Sequence, residues 1–248
     1  NPGTPVYRDT SGNARDVTVV GNYAYVADRA FGLAIIDISD PASPGTPVYM
    51  DTSGFAWDIT VVGNYAYVAD GASGLAIIDI TDPASPGTPV YKDTSGSANS
   101  VTVVGNYAYV ADRASGLAII DISDPASPGT PVYRDTSGVA KGVTVVGNYA
   151  YVADGASGLA IIDISNPASP GTPVYMDTTG DSFDVTVVGN YAYVADDISG
   201  LAVIPLNIGL VQDTAGNNAT LTLAGVGAAG SLGNSKALVI DTTSPTVA

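Results

Sequence analysis

Three aspartates recur at equivalent places in this chain, and their carboxyl groups are its best candidates for acid–base chemistry. Asp16 and Asp58 are 42 positions apart, and Asp184 lies three further such intervals along the sequence. Two carboxyl groups around one site can divide the roles of general acid and nucleophile, as in glycoside hydrolysis. The same position is Ser100 in one copy and Gly142 in another. We therefore predict that the protein is not an enzyme and keep an Asp-dependent hydrolase or lyase as the weakest alternative.

A second set of residues suits binding instead of catalysis. One position of the repeated segment carries a different cationic, amide or aromatic residue in each copy: Arg15, Trp57, Asn99, Lys141 and Phe183. A packing position would tend to repeat one residue type. Phe31 and Phe55 lie close in sequence to this set, and aromatic rings can stack on sugar rings or on peptide side chains. These seven residues are the predicted ligand-binding site, for a glycan or a protein surface.

Several functions are disfavoured by what the chain lacks. Its 248 residues include no Cys and no His, so thiol nucleophiles, imidazole bases, disulfides and the usual zinc ligands are missing. The net charge of −16 should repel nucleic acid and anionic membranes. No apolar run approaches the roughly 18 residues of a membrane span. We predict no nucleic-acid partner, no membrane insertion and no cofactor.

The elements that position these residues come from an internal repeat. The segment Gly-Asn-Tyr-Ala-Tyr-Val-Ala-Asp begins at Gly21, Gly63, Gly105, Gly147 and Gly189. A period near 40 residues with strand-like content is typical of a β-propeller that has one four-stranded blade per repeat. In the fourth copy the predicted strands cover residues 143–146, 149–153, 159–164 and 174–176, separated by Gly- and Pro-containing turns. The predicted fold is all-β.

The phase of the repeat predicts how the ring closes. The chain begins with a fourth-strand segment, residues 5–9, and the fifth copy ends after its third strand near residue 206. We expect the N-terminal strand to complete the last blade, because closure removes exposed sheet edges. The predicted domain is thus a five-bladed propeller over residues 1–206, followed by a short β tail over residues 207–248.

The five copies differ from one another mainly in two segments. The first segment follows the Thr-Ser-Gly or Thr-Thr-Gly turn and comprises residues 13–16, 55–58, 97–100, 139–142 and 181–184. The second segment joins the second and third strands and comprises residues 29–31, 71–73, 113–115, 155–157 and 197–199. In an up-and-down blade both connections lie on the same face of the disc. Loops on one face of a rigid scaffold are where binding is usually placed.

The repeat also carries a family resemblance. The pattern Tyr-Val-Ala-Asp-x-x-x-Gly-Leu-x-Ile-Ile-Asp-Ile-x-Asp-Pro, at residues 67–83, resembles the LVIVD repeat, and the likeness extends over residues 1 to about 206. The resemblance implies a propeller of a bacterial or archaeal surface or secreted protein. The family has no single activity, so the resemblance implies no catalytic residues. The expected location is extracellular or at the bacterial cell surface, as a monomeric module within a longer chain.

The tail departs from the repeat. Residues 211–223 and 237–247 resemble the end of a bacterial Ig-like domain. A degenerate sixth blade is the alternative, because Asp213 and Asp241 have the spacing of Asp135 and Asp163 in a true repeat; a loosely ordered tail is the third. The Gly-x-Gly-x-x-Gly pattern that begins at Gly225 lacks the following helix that nucleotide binding requires.

Recurring aspartates end two strands of each blade. They are Asp28, Asp70, Asp112, Asp154 and Asp196 after the second strand, and Asp37, Asp79, Asp121 and Asp163 after the third. Asp beside a turn usually accepts backbone N–H groups, so we predict caps. A calcium ion held by these carboxylates is the alternative, although no known calcium-loop spacing is present.

Taken with the variable face, these patterns favour a non-catalytic binding or adhesion module of an extracellular bacterial surface protein. Its predicted partner is carbohydrate or protein. The alternative from a different class is a rigid structural spacer in a long surface protein.

Overall fold

The computed structural model describes residues 3–206 and two further short strands, Leu210–Gln212 and Asn218–Thr220, which pair antiparallel. Contacts divide the chain into two compact units, Asn1–Ile204 and Pro205–Ala248. The predictions of an Ig-like tail or a sixth blade, and the glycine pattern at Gly225, fall on residues outside those described, apart from the two paired strands.

The first unit is built from five antiparallel sheets in chain order, which confirms the all-β, repeated-blade prediction. Four sheets have four strands and the fifth has three. Among the described residues there is one short 3-10 turn, Asp197–Ser199, and no helix long and apolar enough to cross a membrane. The strands are β1 Asp16–Val20, β2 Tyr23–Ala27, β3 Leu33–Asp37, β4 Val48–Met50, β5 Asp58–Val62, β6 Tyr65–Ala69, β7 Leu75–Asp79, β8 Val90–Lys92, β9 Ser100–Val104, β10 Tyr107–Ala111, β11 Leu117–Asp121, β12 Val132–Arg134, β13 Gly142–Val146, β14 Tyr149–Ala153, β15 Leu159–Asp163, β16 Val174–Met176, β17 Asp184–Val188, β18 Tyr191–Ala195, β19 Leu201–Pro205, β20 Leu210–Gln212 and β21 Asn218–Thr220.

Within each blade the strands form an up-and-down meander. In the third blade Tyr109 of β10 lies between Thr102 of β9 and Ile119 of β11, and Leu117 of β11 is opposite Arg134 of β12. The first hairpin is closed by a Gly-Asn turn in which Gly105 has φ of +58°. Glycine adopts this left-handed conformation without steric cost, which is why the turn favours it.

Consecutive blades pack face to face through apolar side chains. At the junction of the third and fourth blades, Leu117 and Ile119 contact a surface formed by Val143, Ala150 and Ile162, and all five are buried. Small residues on β14 and β15, such as Ala150 and Ala160, let the sheets approach closely. Each of the three middle repeats therefore buries one face against the preceding blade and the other against the following blade.

The capping prediction for the buried aspartates is confirmed. The carboxylate of Asp70 accepts a hydrogen bond from the Thr52 hydroxyl at 2.6 Å and another from the Gly54 N–H at 2.8 Å. Burial raises the pKa of Asp70, although both hydrogen bonds favour the ionised form. The exposed aspartates after the third strand make a local turn, as when Asp79 accepts the Thr81 N–H at 2.8 Å. No group of three acidic side chains able to hold a metal ion occurs among the described residues.

The predicted closure by the N-terminal strand is wrong for the described structure. Residues 3–10 form no strand, and within the described residues the fifth sheet ends at β19 without a fourth strand. Instead, the N-terminal segment lies against the first blade, where Arg8 donates to the Pro44 carbonyl and the Ser11 N–H donates to the Tyr49 hydroxyl at 2.8 Å. The equivalent contacts recur three repeats later, from Arg134 to the Pro170 carbonyl and from the Ser137 N–H to the Tyr175 hydroxyl, so the segment occupies a fourth-strand position relative to the first blade.

Candidate functional site

The two variable segments lie side by side on one face of the propeller, as predicted from the copies. The N–H of Arg29, in the loop after β2, donates to the Ala56 carbonyl at 3.2 Å, and the Ala56 N–H donates back to the Arg29 carbonyl at 3.1 Å. The same bridge joins Gly71 to Ala98 and Arg113 to Ala140 at the next two junctions. Each bridge ties the variable loop of one blade to the variable entry segment of the next, so their side chains share a surface.

Trp57 is the centre of a cluster of cations on this surface. The guanidinium carbons of Arg15 and Arg29 each lie 4.8 Å from the centroid of the indole ring, and that of Arg113 lies 5.9 Å away. Arg29 also lies 5.3 Å from the ring of Phe55. Cation–π contacts of this kind contribute roughly 0.5–1 kcal/mol each at exposed sites. The indole therefore positions three guanidinium groups and is not an open stacking platform.

These three arginines have no acidic partner within residues 3–206, where the one ion pair joins Lys141 to Asp181. That is unexpected in a chain with 24 acidic and 8 basic residues. Three like charges around one indole repel one another. An anion bound among them would relieve that repulsion and accept charge-assisted hydrogen bonds, which the planar guanidinium group makes well.

An open cleft of about 350 Å³ adjoins the arginine cluster. Phe31 and Phe55, both about half exposed, form its apolar part. The ring of Phe31 is held by Tyr49, with the two centroids 6.3 Å apart. The cleft is lined by Ser11, Gly12, Asn13, Arg29, Ala30, Phe31 and Phe55. It thus combines two aromatic rings, one guanidinium and several small polar groups.

The remaining predicted residues hold the surface together. Lys141 pairs with Asp181 at 2.6 Å and lies 3.7 Å from the ring centroid of Phe183. The side-chain amide of Asn99 donates to the Lys141 carbonyl at 2.7 Å and accepts a hydrogen bond from Arg113 at 3.2 Å. The ion pair neutralises Lys141, so this part of the face offers less positive charge to a ligand than the Trp57 cluster does.

The structure also brings the candidate catalytic aspartates together: Asp16 is adjacent to Asp58, and its charge acts on Asp184 as well. The Ile59 N–H lies 3.1 Å from an oxygen of Asp16 and 2.8 Å from an oxygen of Asp58. Burial and the adjacent Asp16 carboxyl raise the pKa of Asp58 to about 7. Asp58 also accepts the Val101 N–H at 2.8 Å, so it joins the second blade to the third. Partial desolvation and the charge of Asp16 raise the pKa of Asp184.

The repeat pattern and the sheet order place this fold in a known family. The LVIVD repeat matches residues 11–52, 53–90, 95–132, 137–178 and 179–205, which together make up most of the chain. The chain belongs to the LVIVD repeat family. No curated protein sequence matches it significantly.

Solved structures similar to this LVIVD protein confirm its architecture. The β-propeller domain of Myceliophteria thermophila Cps50 (Swd1) matches with a TM-score of 0.63 at 12% identity, over 85% of this chain and 72% of that one. BamB from Moraxella catarrhalis gives 0.56 at 18% identity, over 79% and 58%. The computationally designed Ika8 protein gives 0.63 at 9% identity, over 79% and 59%. The chain spans less than two thirds of the last two, and at these identities the likeness shows the fold alone.

Sequence reasoning on the LVIVD copies did not select two of the three arginines. Arg29 and Arg113 were placed in the variable loop, but their side chains were not assigned to the site. A usable signal was present, because their equivalents in the second and fourth copies are Gly71 and Gly155. All four residues have φ between +49° and +60°. Arginine is strained in this left-handed region, and strained residues concentrate at functional sites.

The strain at Arg113 predicts an unusual order of stabilities. Arg113→Gly should be more stable than Arg113→Ala by about 1 kcal/mol, because both variants lose the guanidinium but only alanine keeps a Cβ at positive φ. Urea unfolding of the two variants measures the difference. At an ordinary exposed position with negative φ, the alanine variant would be more stable than the glycine variant. Finding Arg113→Ala more stable than Arg113→Gly would therefore contradict the left-handed backbone.

Proposed function

We propose that the chain is a non-catalytic binding module of an extracellular bacterial surface protein and that its ligand is an acidic glycan. The observation that supports this proposal is the cluster of Arg15, Arg29 and Arg113 around Trp57, three cations without an acidic partner in the described part of the chain. Carboxylate or sulfate groups of the glycan would bind the guanidinium groups. The exposed rings of Phe31 and Phe55 would contact the sugar rings.

The net charge of the chain restricts where an anionic ligand can bind. With a net charge of −16 the molecule as a whole repels anions, so an anionic ligand would be attracted only where the arginines gather. The rigid scaffold supports the same proposal, because backbone bridges such as that between Arg29 and Ala56 hold the loops in place before a ligand arrives. Loops that need little ordering lose less conformational entropy on binding.

A glycan array that includes uronate-containing, sulfated and neutral glycans tests the proposal. Wild type should bind acidic glycans, and Trp57→Ala and Arg29→Gly should each weaken binding by at least about tenfold, since a hydrogen bond to a charged group contributes roughly 1.5–3 kcal/mol. Lys92→Ala removes one positive charge outside the cluster and should bind like wild type. Binding should also weaken with added salt.

Two other results would replace the proposal. Binding to an acidic peptide array with the same loss in Trp57→Ala would indicate a protein ligand. No binding on either array would favour the rigid spacer, whose only requirement is the packed repeat itself.

An Asp-dependent hydrolase or lyase is the second candidate, supported by the adjacent carboxyl groups of Asp16 and Asp58. Two adjacent carboxyl groups, of which Asp58 has a pKa raised to about 7, can divide the roles of acid and base. Against it, each carboxyl accepts a backbone N–H of the next blade, which gives it a structural role. Turnover of a polysaccharide that is lost in Asp58→Asn would favour catalysis.

A further inference from the structure

The first and fifth blades each leave uncovered a face that is buried at every junction between neighbouring blades. Val17 is 55% exposed, whereas the equivalent Ile59, Val101, Val143 and Val185 are 2–3% exposed. Leu201 is 63% exposed, whereas Leu33, Leu75, Leu117 and Leu159 are fully buried. We call the surface around Val17 and Val19 the start face, and the surface around Leu201 and Val203 the end face.

The two faces match each other, because the repeat is nearly the same at every junction. At each internal junction the leucine that begins the third strand lies against the apolar position of the next blade's first strand, as Leu117 and Val143 do. The end face presents Leu201 and Val203, which occupy the third-strand positions that are packed at an internal junction. The start face presents Val17 and Val19, which occupy the first-strand positions of the next blade at such a junction. A start face placed on an end face would therefore reproduce an internal junction.

The backbone edges match in the same way. Among the residues that the structure describes, no fourth strand pairs with β19, and residues 6–8 occupy a fourth-strand position with no third strand beside them. In the third blade Leu117 is opposite Arg134 and Ile119 is opposite Val132. By the same register, Leu201 would lie opposite Arg8 and Val203 opposite Val6. Both of these N-terminal side chains are largely exposed, and an unpaired edge strand readily accepts a strand from another chain.

We propose that a second copy of this chain occupies the end face, inserting its residues 6–8 beside β19 and its Val17 and Val19 against Leu201 and Val203. The contact is head to tail, so each copy uses a different surface. Its chemistry is that of the internal blade junctions: apolar side chains, one added strand, and an Arg8 hydrogen bond to a carbonyl of the blade beside it, which the described structure already makes to Pro44.

Cysteine crosslinking tests the strand register. The chain has no Cys, so the double variant Val6→Cys, Val203→Cys introduces the only two thiols. Oxidation should give disulfide-linked oligomers on a non-reducing gel, because residue 6 of one copy lies opposite residue 203 of another. A product that stays monomeric with both thiols consumed would show that the chain closes on itself, and it would overturn the proposal.

Blocking one face at a time tests the head-to-tail geometry. Val17→Asp with Val19→Asp disables the start face, and Leu201→Asp with Val203→Asp disables the end face. Since all four side chains are exposed, the variants should fold, which circular dichroism checks. By sedimentation from about 1 to about 100 µM, wild type should associate and each variant should stay monomeric. An equimolar mixture should form dimers and stop there, because one intact start face meets one intact end face.

Two sedimentation results would overturn the proposal. A wild type that is monomeric over the whole range would show that no second copy binds, and the residues beyond 206 would become the occupant to examine. Dimers of each blocked variant alone would indicate a symmetric contact through another surface. The runs need moderate salt, because copies with a charge of −16 repel each other in dilute buffer.

Discussion

Leu117→Ala should lower the free energy of unfolding by about 2–5 kcal/mol, whereas Leu201→Ala should change it by less than about 1 kcal/mol. The two leucines occupy the same position of the repeat and begin the third strand of their blades. Leu117 is fully buried between the third and fourth blades, and its truncation leaves a cavity. Leu201 is 63% exposed and already in contact with water.

Urea unfolding at about 1 µM, where association is weakest, compares the two variants. The chemistry of the substitution is identical and only the burial differs, so each variant is the control for the other. A loss for Leu201→Ala as large as that for Leu117→Ala would mean that the end face is covered within a single chain. That result would contradict the 63% exposure of Leu201. A second unfolding transition in Leu117→Ala would indicate that blades on either side of the cavity unfold separately.

Most of the fold is readable from the sequence, because the repeat shows the same pattern five times. The Gly-Asn turns, the alternating Tyr-Ala-Tyr-Val-Ala strand and the Pro-rich connection each predict a local structure that the blades contain. Ring closure could not be read in the same way. Counting strands shows that residues 5–9 correspond to a fourth strand without the other three strands of its blade. Whether such a segment closes the ring depends on the angle between successive sheets. That angle is set by side-chain packing over whole junctions, which no single segment encodes.

The adjacency of the variable loops was predictable from the sequence, but the surroundings of Trp57 were not. The copies predict that the variable segments share one face, where the backbone bridges join them, and Trp57 is the chain's one indole. The sequence suggests an open aromatic platform, whereas the structure surrounds the ring with Arg15, Arg29 and Arg113. Two of these come from loops of other blades and are aimed by a left-handed backbone. Such contacts between loops distant in sequence leave no periodic signal.

The near-identity of the copies explains why some positions of the repeat vary while the junction positions do not. Residues that face neighbouring blades pack in the same surroundings at every junction, so they repeat, as Leu75 and Leu117 do. Residues on the variable face contact at most the adjacent loop and are free to differ. The same constraint leaves the terminal blades with unmodified junction surfaces, since a repeat that packs well inside the series packs equally well at its ends.

Asp58→Asn should stabilise the protein at pH 8 and have little effect at pH 4. The side chain of Asp58 is mostly desolvated and lies beside the Asp16 carboxyl, which raises its pKa from the ordinary value of 3.8 to about 7. The folded state therefore binds a proton that the unfolded state releases between about pH 4 and pH 7. The stability from this group is fully present below pH 4 and is lost as the pH rises through 7. The loss is on the order of 4 kcal/mol.

Asparagine keeps the shape of the side chain and its carbonyl can still accept the Val101 N–H, but it never ionises. The expected result is a smaller fall in unfolding free energy between pH 4 and pH 8 in Asp58→Asn than in wild type, measured by urea unfolding. Asp177→Asn is the matched control, because it removes the same charge from an exposed position and should leave the pH profile unchanged. Parallel profiles for wild type and Asp58→Asn would mean that Asp58 ionises normally and that the two carboxyls do not share a proton. In that case the structural support for acid–base chemistry at this pair would be lost as well.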